Sequence, residues 1–139
     1  MYRLLSAFEY ASTAGDHKAC LPGSTRIMSV PEMTDVLVTL QTNETNFAMM
    51  MDRNIIPTLA SLLAAEGFEE RLSGCRLLWS LLHHSAFRAQ VCSSDLPIAE
   101  MVQMLREDPH KDVCQVALCI LFSLEGTEEK GKGQSESVN

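Results

Sequence analysis

The strongest constraint on the fold of this chain is an internal repeat with a period of 41 to 42 residues. At an offset of 42, apolar residues meet apolar residues, and the pairs include Ile56 with Ile98, Leu59 with Met101, Leu62 with Met104 and Trp79 with Leu121. At an offset of 41, the pairs include Val36 with Leu77 and Leu40 with Leu81. Within each period, apolar residues recur with helical spacing in three separate segments. Three helices per period of this length are typical of an α-solenoid, in which each unit packs only against its neighbours.

Local start signals agree with this helical interpretation. Ser29 and Glu32 form an S-x-x-E pattern, which predicts a capping box at the start of a helix. Asn43 is placed to cap the short helix that follows. Asp108 and Pro109 are expected to serve as N-cap and first helical residue of the last helix.

Composition divides the chain into three parts. Residues 1–28 combine a partial helix with a stretch rich in Ser, Thr, Gly and Pro, which predicts a loop. Residues 29–124 carry the helical repeats. Residues 125–139 hold Gly, Ser, Glu and Lys with one apolar residue, which predicts a disordered polar tail.

Two segments resemble the armadillo (ARM or HEAT-like) repeat family. The stretch NFAMMMDRNIIPTLASLL, Asn46 to Leu63, is similar to the family's short first helix, turn and second helix. The stretch GCRLLWSLLHH, Gly74 to His84, is similar to its long third helix. The resemblance covers Glu32 to Leu124 and implies an all-α, right-handed α-solenoid of about two repeats plus a partial one. It also implies that the third helices form a concave surface for a protein partner.

The resemblance assigns candidate partner-binding positions on the third helices. Family members that hold extended peptides carry a Trp and an Asn one turn apart on this helix. The matching positions, with His83 added at the end of the central helix, are Asp35, Thr39, Arg76, Ser80, His83, Leu118 and Phe122. The Asn ladder is absent, so we expect a partner other than a peptide held by its backbone. Leu118 and Phe122 either line the groove or meet a following repeat, and Trp79 is expected in the core.

Charge and cysteine content exclude several classes of function. Eighteen acidic against eleven basic residues give a net charge of −7, which disfavours nucleic acid as a partner. No apolar run approaches the roughly 20 residues that cross a bilayer, so no membrane contact is expected. The sequence shows no secretion signal, and an odd number of cysteines, five, then predicts reduced thiols in an intracellular protein, in the cytoplasm, the nucleus or both. Four of them lie in apolar helical patterns, where we expect buried structural thiols rather than metal ligands.

The sequence predicts no enzyme, metal or cofactor. It contains no Gly-rich phosphate loop, no G-x-S-x-G motif and no carboxylate pair on an apolar face. We therefore expect a non-catalytic protein-interaction module or scaffold that uses the concave face. The alternative is a structural C-terminal fragment, or short isoform, of a larger solenoid without binding activity of its own.

Self-association is expected through the helices at the two ends of the repeats. At one end, ten of the twelve residues from Val113 to Leu124 are apolar. At the other end, the helix around Val36 to Leu40 carries an apolar face that a preceding repeat would cover.

Overall fold

The chain folds into helices arranged in the order that the sequence predicts. A computed structural model describes the backbone of residues 1–21, 23 and 25–138 and the side chains of residues 1–21, 23 and 25–124. In this part of the chain the elements are α1 (Tyr2–Thr13), β1 (Lys18–Cys20), β2 (Ile27–Ser29), α2 (Val30–Leu40), α3 (Glu44–Asp52), α4 (Ile56–Leu63), α5 (Phe68–Leu81), α6 (Ser85–Ser93), α7 (Ile98–Leu105) and α8 (Lys111–Val138). The fold is therefore mostly helical, as predicted.

The last helix runs into the segment for which the sequence predicts disorder. The bounds of α8 include residues 125–138, whose side chains lie outside the described residues, as does all of residue 139. The disordered polar tail over residues 125–139 stays a prediction.

Side-chain caps start α2 and α3 where the sequence places them. The Ser29 hydroxyl accepts the Glu32 backbone N–H, and the Glu32 carboxylate accepts the Ser29 N–H, which completes the capping box. The Asn43 side chain accepts the Asn46 N–H at 3.1 Å and caps α3. The prediction for α8 is wrong by two residues, because α8 begins at Lys111. Asp108 instead accepts the His110 N–H at 2.9 Å in the loop before the helix.

In the described part of residues 1–28 the structure shows a helix and the two strands of a hairpin. α1 is a full helix that buries Leu5 and Phe8 in the core. β1 and β2 pair antiparallel, with Ala19 opposite Met28 and both side chains buried. Strands of three residues are too short for a period of two to be recognised in a sequence, so the hairpin was not predictable from the pattern.

α1 and the hairpin also cover the N-terminal side of α2. Met33 and Leu37 are fully buried, and of the apolar positions on α2 only Val36 is clearly exposed. The extensive apolar face expected at this end of the repeats is therefore not present.

The helices stack in two layers. In one layer α2, α5 and α8 lie side by side in that order, and in the other α1, α4 and α7 do so. Contacts between α4 and α5 and between α7 and α8 join the layers. α3 and α6 follow α2 and α5 in the chain and lead back to the second layer. Residues from all of these helices contribute to one continuous hydrophobic core.

The two helical units match at the predicted offsets of 41 and 42 for two of their three helices, and differ for the third. An offset of 42 pairs Leu62, which is fully buried, with Met104, which is 77% exposed. At an offset of 43 Leu62 matches Leu105 and Leu59 matches Val102, but buried Leu63 then matches exposed Arg106, so neither offset aligns burial along the whole of α4 and α7. Helix starts shift by 41 residues from α3 to α6, by 42 from α4 to α7 and by 43 from α5 to α8. The later helices are apolar on several sides, so apolar residues align with apolar residues at more than one offset. The sequence therefore does not determine which side of each helix is buried.

Gly74 allows the two layers to approach closely. A Cβ atom at this position would lie 2.8 Å from the Leu62 Cβ, which is inside van der Waals contact. Leu62 is fully buried on α4 and its Cβ cannot move without its backbone. A glycine on α5 therefore sets the distance between α4 and α5.

Arg71 on α5 bonds to the chain on both sides, to the segment after α4 and to the loop before α8. Its guanidinium donates to the Asp108 carboxylate, with Nε at 2.6 Å from Oδ2, and to the carbonyl oxygens of Ala65 and Glu66 after α4. The Asp108 side chain is only 4% exposed. Burial alone raises the pKa of the Asp108 carboxyl, but hydrogen bonds from Arg71 and the His110 N–H, with the nearby positive charge, bring it below its ordinary value.

We expect Gly74→Ala to destabilise the protein although alanine favours a helix. The gain in helix propensity is about 1 kcal/mol, whereas overpacking a tight core costs about 1–3 kcal/mol. Urea unfolding should therefore show a net loss. Gly15→Ala is the control, since a Cβ there meets nothing within 4 Å; equal stabilities of the two variants would contradict the close approach at Gly74.

Asp108→Ala should lower the free energy of unfolding by roughly 3 kcal/mol at neutral pH, because it leaves Arg71 without its buried partner. The folded-state pKa of Asp108 is lowered from 3.8, so its contribution is complete above that pH. The contribution is lost as the pH falls through the folded-state pKa. The stability difference between wild type and variant should accordingly shrink in acid, and a difference that stays constant with pH would argue against the ion pair.

Candidate partner-binding groove

A depression lies across the layer formed by α2, α5 and α8. It has a volume of about 840 Å³. All three helices or the residues that follow them contribute side chains, and these are Val38, Gln41, Thr42, Leu72, Arg76, Trp79, Ser80, His83, His84, Asp112, Gln115 and Val116. We call it the α2–α5–α8 groove. Three of the residues that the sequence singles out, Arg76, Ser80 and His83, contribute to its lining.

α5 forms the central strip of the groove. Leu72, Arg76, Trp79 and His83 are spaced by three or four residues, so their side chains lie on one helical face. The other side of α5 carries fully buried residues such as Leu77 that pack in the core. α5 therefore presents a mixed aromatic and cationic strip toward solvent.

An ion pair connects α5 to α2 beside the groove. Arg76 Nη1 lies 2.8 Å from Asp35 Oδ1, and both side chains are largely exposed. This agrees with the offset of 41, which superposes the two positions. Thr39 lies one turn further along α2, but its hydroxyl donates to the Asp35 carbonyl oxygen at 3.1 Å and does not line the groove.

The two histidines at the end of α5 have different roles. His84 is held in place, because its Nε2 lies 2.6 Å from the Gln41 amide oxygen and its ring stacks on Phe47 at 3.8 Å between centroids. His83 Nδ1 lies 3.1 Å from the Ser80 carbonyl oxygen. A carbonyl only accepts, so Nδ1 carries the proton and Nε2 of the neutral ring is an acceptor for a ligand.

Trp79 lies in the groove and not in the core, so the prediction for this residue is wrong. Its side chain is 39% exposed, and its ring lies 6.0 Å from the His83 ring between centroids. The neighbours Leu78 and Leu81 take the buried positions instead.

Leu118 and Phe122 lie outside the groove. Its wall on α8 is made by Asp112, Gln115 and Val116. The helix starts are displaced by 43 residues from α5 to α8, and at this offset Leu118 matches Cys75 and Phe122 matches Trp79, rather than Arg76 and Ser80. Of the predicted site residues, the structure therefore brings together Arg76, Ser80 and His83 in the lining, places Asp35 and Thr39 beside it, and separates Leu118 and Phe122.

The cysteines are more exposed than the sequence predicts. Only Cys75 is buried, Cys114 is half-buried, and Cys20, Cys92 and Cys119 are exposed. Burial and then the negative charge of Asp108 raise the pKa of the Cys75 thiol to about 12. This thiol is therefore protonated and unreactive near neutral pH.

Among the described side chains, no three His, Cys, Asp or Glu residues are grouped so that they could hold a metal ion. Within the same residues, no helix has both the length and the hydropathy to span a bilayer.

Trp79→Ala should cost about 1–2 kcal/mol of stability, because part of the ring already contacts water. A fully buried ring would cost about 3–5 kcal/mol. Leu78→Ala is the matched comparison on the buried side of the same helix turn and should cost more. If thermal or urea unfolding shows that Trp79→Ala is the more damaging change, the rotation of α5 described above is incorrect.

Comparisons with known proteins add no relative for this chain. A scan against models of protein families found no match, and searches of the curated proteins and of the solved structures found none either.

Proposed function

We propose that this chain is a non-catalytic protein-interaction module that binds a segment of a partner protein in the α2–α5–α8 groove. The observation that carries the proposal is the groove itself, in which three neighbouring helices combine an apolar floor with convergent polar groups. Binding sites for protein segments and small molecules are typically concave, largely apolar and supplied with a few oriented polar groups.

The repeated order of the helices supports assignment to a right-handed α-solenoid of the armadillo type. α3, α4 and α5 are followed by α6, α7 and α8 in the same order. The last helix of each triplet joins the layer that carries the groove, and the middle helix joins the other layer. In such a stack each unit contacts only its neighbours, which leaves an extended face for a partner.

The groove chemistry defines the segment that would fit. Leu72, Val38 and Val116 offer an apolar floor, and the Trp79 ring adds a broad apolar surface with one N–H donor. Arg76 is oriented by Asp35 and carries further N–H donors. We therefore propose an occupant with an apolar side chain for the floor and with carbonyl or carboxylate acceptors that face Arg76 and Trp79.

The polar residues suit recognition better than proton transfer. Arg76 is paired with Asp35, and His84 is fixed by Gln41 and Phe47. The buried Cys75 is held in its thiol form. Cys75, Cys92, Cys114 and Cys119 are reduced, and we include an intracellular location in the proposal on this ground.

A second candidate is that the chain is a structural piece of a larger solenoid, such as a C-terminal fragment or short isoform without binding activity of its own. The observation that favours it is the exposure of Leu118 and Phe122 on α8, where a following repeat would pack. This candidate predicts that no segment binds the groove of the isolated chain.

Selection from a displayed library of random peptides tests the two candidates. We expect peptides with an apolar anchor to bind, and Arg76→Glu to weaken their affinity by about tenfold or more, because it places like charges together at Asp35 and removes the donors. Arg106→Glu is the control, since it makes the same charge change at an exposed position outside the groove. Failure to select any peptide, or equal loss with both variants, would contradict binding in the groove.

A further inference from the structure

A buried amide lies at one end of the α2–α5–α8 groove. Gln41 follows α2 as its C-cap, is only 8% exposed and lines the groove. His83, just after α5, lines the same groove. We propose that Gln41 and His83 form a subsite for a side-chain carboxamide, an Asn or a Gln of the partner segment. This inference rests on the proposed function, because it concerns the same groove.

The orientation of the Gln41 amide is fixed by its neighbours. An amide oxygen only accepts, so His84 Nε2–H donates to Gln41 Oε1, with 2.6 Å between the heavy atoms. The His84 ring in turn stacks on Phe47, with 3.8 Å between ring centroids. Because the oxygen is held by His84, the Gln41 NH2 group is on the other side of the amide, where no acceptor among the described residues bonds to it. Its N–H donors are therefore available to an occupant of the groove.

His83 supplies an acceptor at the same end of the groove. Its Nδ1 donates to the Ser80 carbonyl oxygen at 3.1 Å, so Nε2 of the neutral ring accepts. His83 is exposed and adjoins His84, the residue that holds Gln41. This end of the groove thus combines a buried donor with an exposed acceptor. A primary carboxamide carries one carbonyl acceptor and one NH2 donor, which is the complementary pair.

Other polar side chains match this end of the groove less well. An ammonium group has donors only and cannot accept from Gln41. A carboxylate has acceptors only, and it would lie at the C-terminal ends of α2 and α5, where the helix carbonyl groups give a negative potential. Arg76 could balance such a charge, but it lies near the middle of α5 and pairs with Asp35. The carboxamide is neutral and satisfies both Gln41 and His83.

The depth of Gln41 favours a side chain of the partner over its main chain. Gln41 is 8% exposed, whereas Trp79 in the same groove is 39% exposed. A main chain that reached the Gln41 amide would bring its own flanking side chains against the walls of the groove. A side-chain carboxamide ends a short methylene stem, so its tip can reach Gln41 alone.

Peptides selected from the displayed library for binding to the full wild-type chain provide the probes. We expect an Asn or a Gln at one fixed spacing from the apolar anchor. In the tightest-binding peptide, replacing this residue by Leu or by the corresponding acid should weaken binding to the wild-type chain by about tenfold or more. The reason is that either change leaves a hydrogen-bonding group of the subsite unpaired. Isothermal titration at about pH 8, where an imidazole is neutral, measures each affinity.

Variants of the chain assign the preference to the subsite. Gln41→Met should bring the ratio of the affinities for the carboxamide and Leu peptides to about one. This ratio is measured on a single variant, so a general loss of stability, as from removing the partner of His84, does not change it. Gln103→Met makes the same substitution at an exposed position on α7 and should leave the ratio unchanged. His83→Ala alters an exposed residue and should also lower the ratio, by about threefold or more, because the acceptor is lost.

The outcomes distinguish failure of this inference from failure of the proposed function. Peptides that bind in the groove, as judged by their sensitivity to Arg76→Glu, but carry no Asn or Gln at a fixed position overturn the inference alone. The same holds if the acid peptide binds more tightly, or if the ratio for both Gln41→Met and His83→Ala equals that of the wild type. A library that yields no binding peptide overturns the inference and the proposed function together.

Discussion

The relative position of two groove helices, α5 and α8, depends on one guanidinium. Arg71 lies on α5, donates to two carbonyl oxygens that follow α4, and pairs with Asp108 in the loop before α8. It therefore fixes three elements with one buried, planar group, which a flexible ammonium could not do with the same geometry. The fold therefore also depends on the charge of Asp108, because a buried guanidinium is tolerated only while its carboxylate partner is charged.

The sequence predicts where the helices begin better than it predicts which side of each helix faces the core. Ser29 and Asn43 mark helix starts because a side-chain oxygen that caps a backbone N–H is a local event. Which face of α5 is buried is not local, and it decides the role of Trp79. Leu77, Leu78 and Leu81 make the helix apolar over most of its circumference, so sequence alone cannot say which apolar residue remains beside solvent.

Other differences between the predictions from the sequence and the structure also arise from contacts between residues far apart in the chain. The helix start expected at Pro109 lies at Lys111 instead, and the Asp108 carboxylate accepts the His110 N–H while it also pairs with Arg71, which lies far away in the sequence. The hairpin of Lys18–Cys20 and Ile27–Ser29 forms where backbone groups can pair, and three-residue strands carry no detectable pattern. Arg76 and Asp35 were placed together by the repeat offset alone, because for α2 and α5 the same offset aligns both sequence and burial.

The successive helix starts, displaced by 41, 42 and then 43 residues, have a consequence for how such a surface can change. One residue corresponds to about 100° of rotation around a helix axis. A single insertion or deletion that shifts where a helix begins can thus rotate its side chains around the helix axis. One strip of side chains then leaves the exposed surface and another takes its place. Because the α8 sequence is apolar on several sides, its core contribution would survive such a turn while its outer chemistry is replaced.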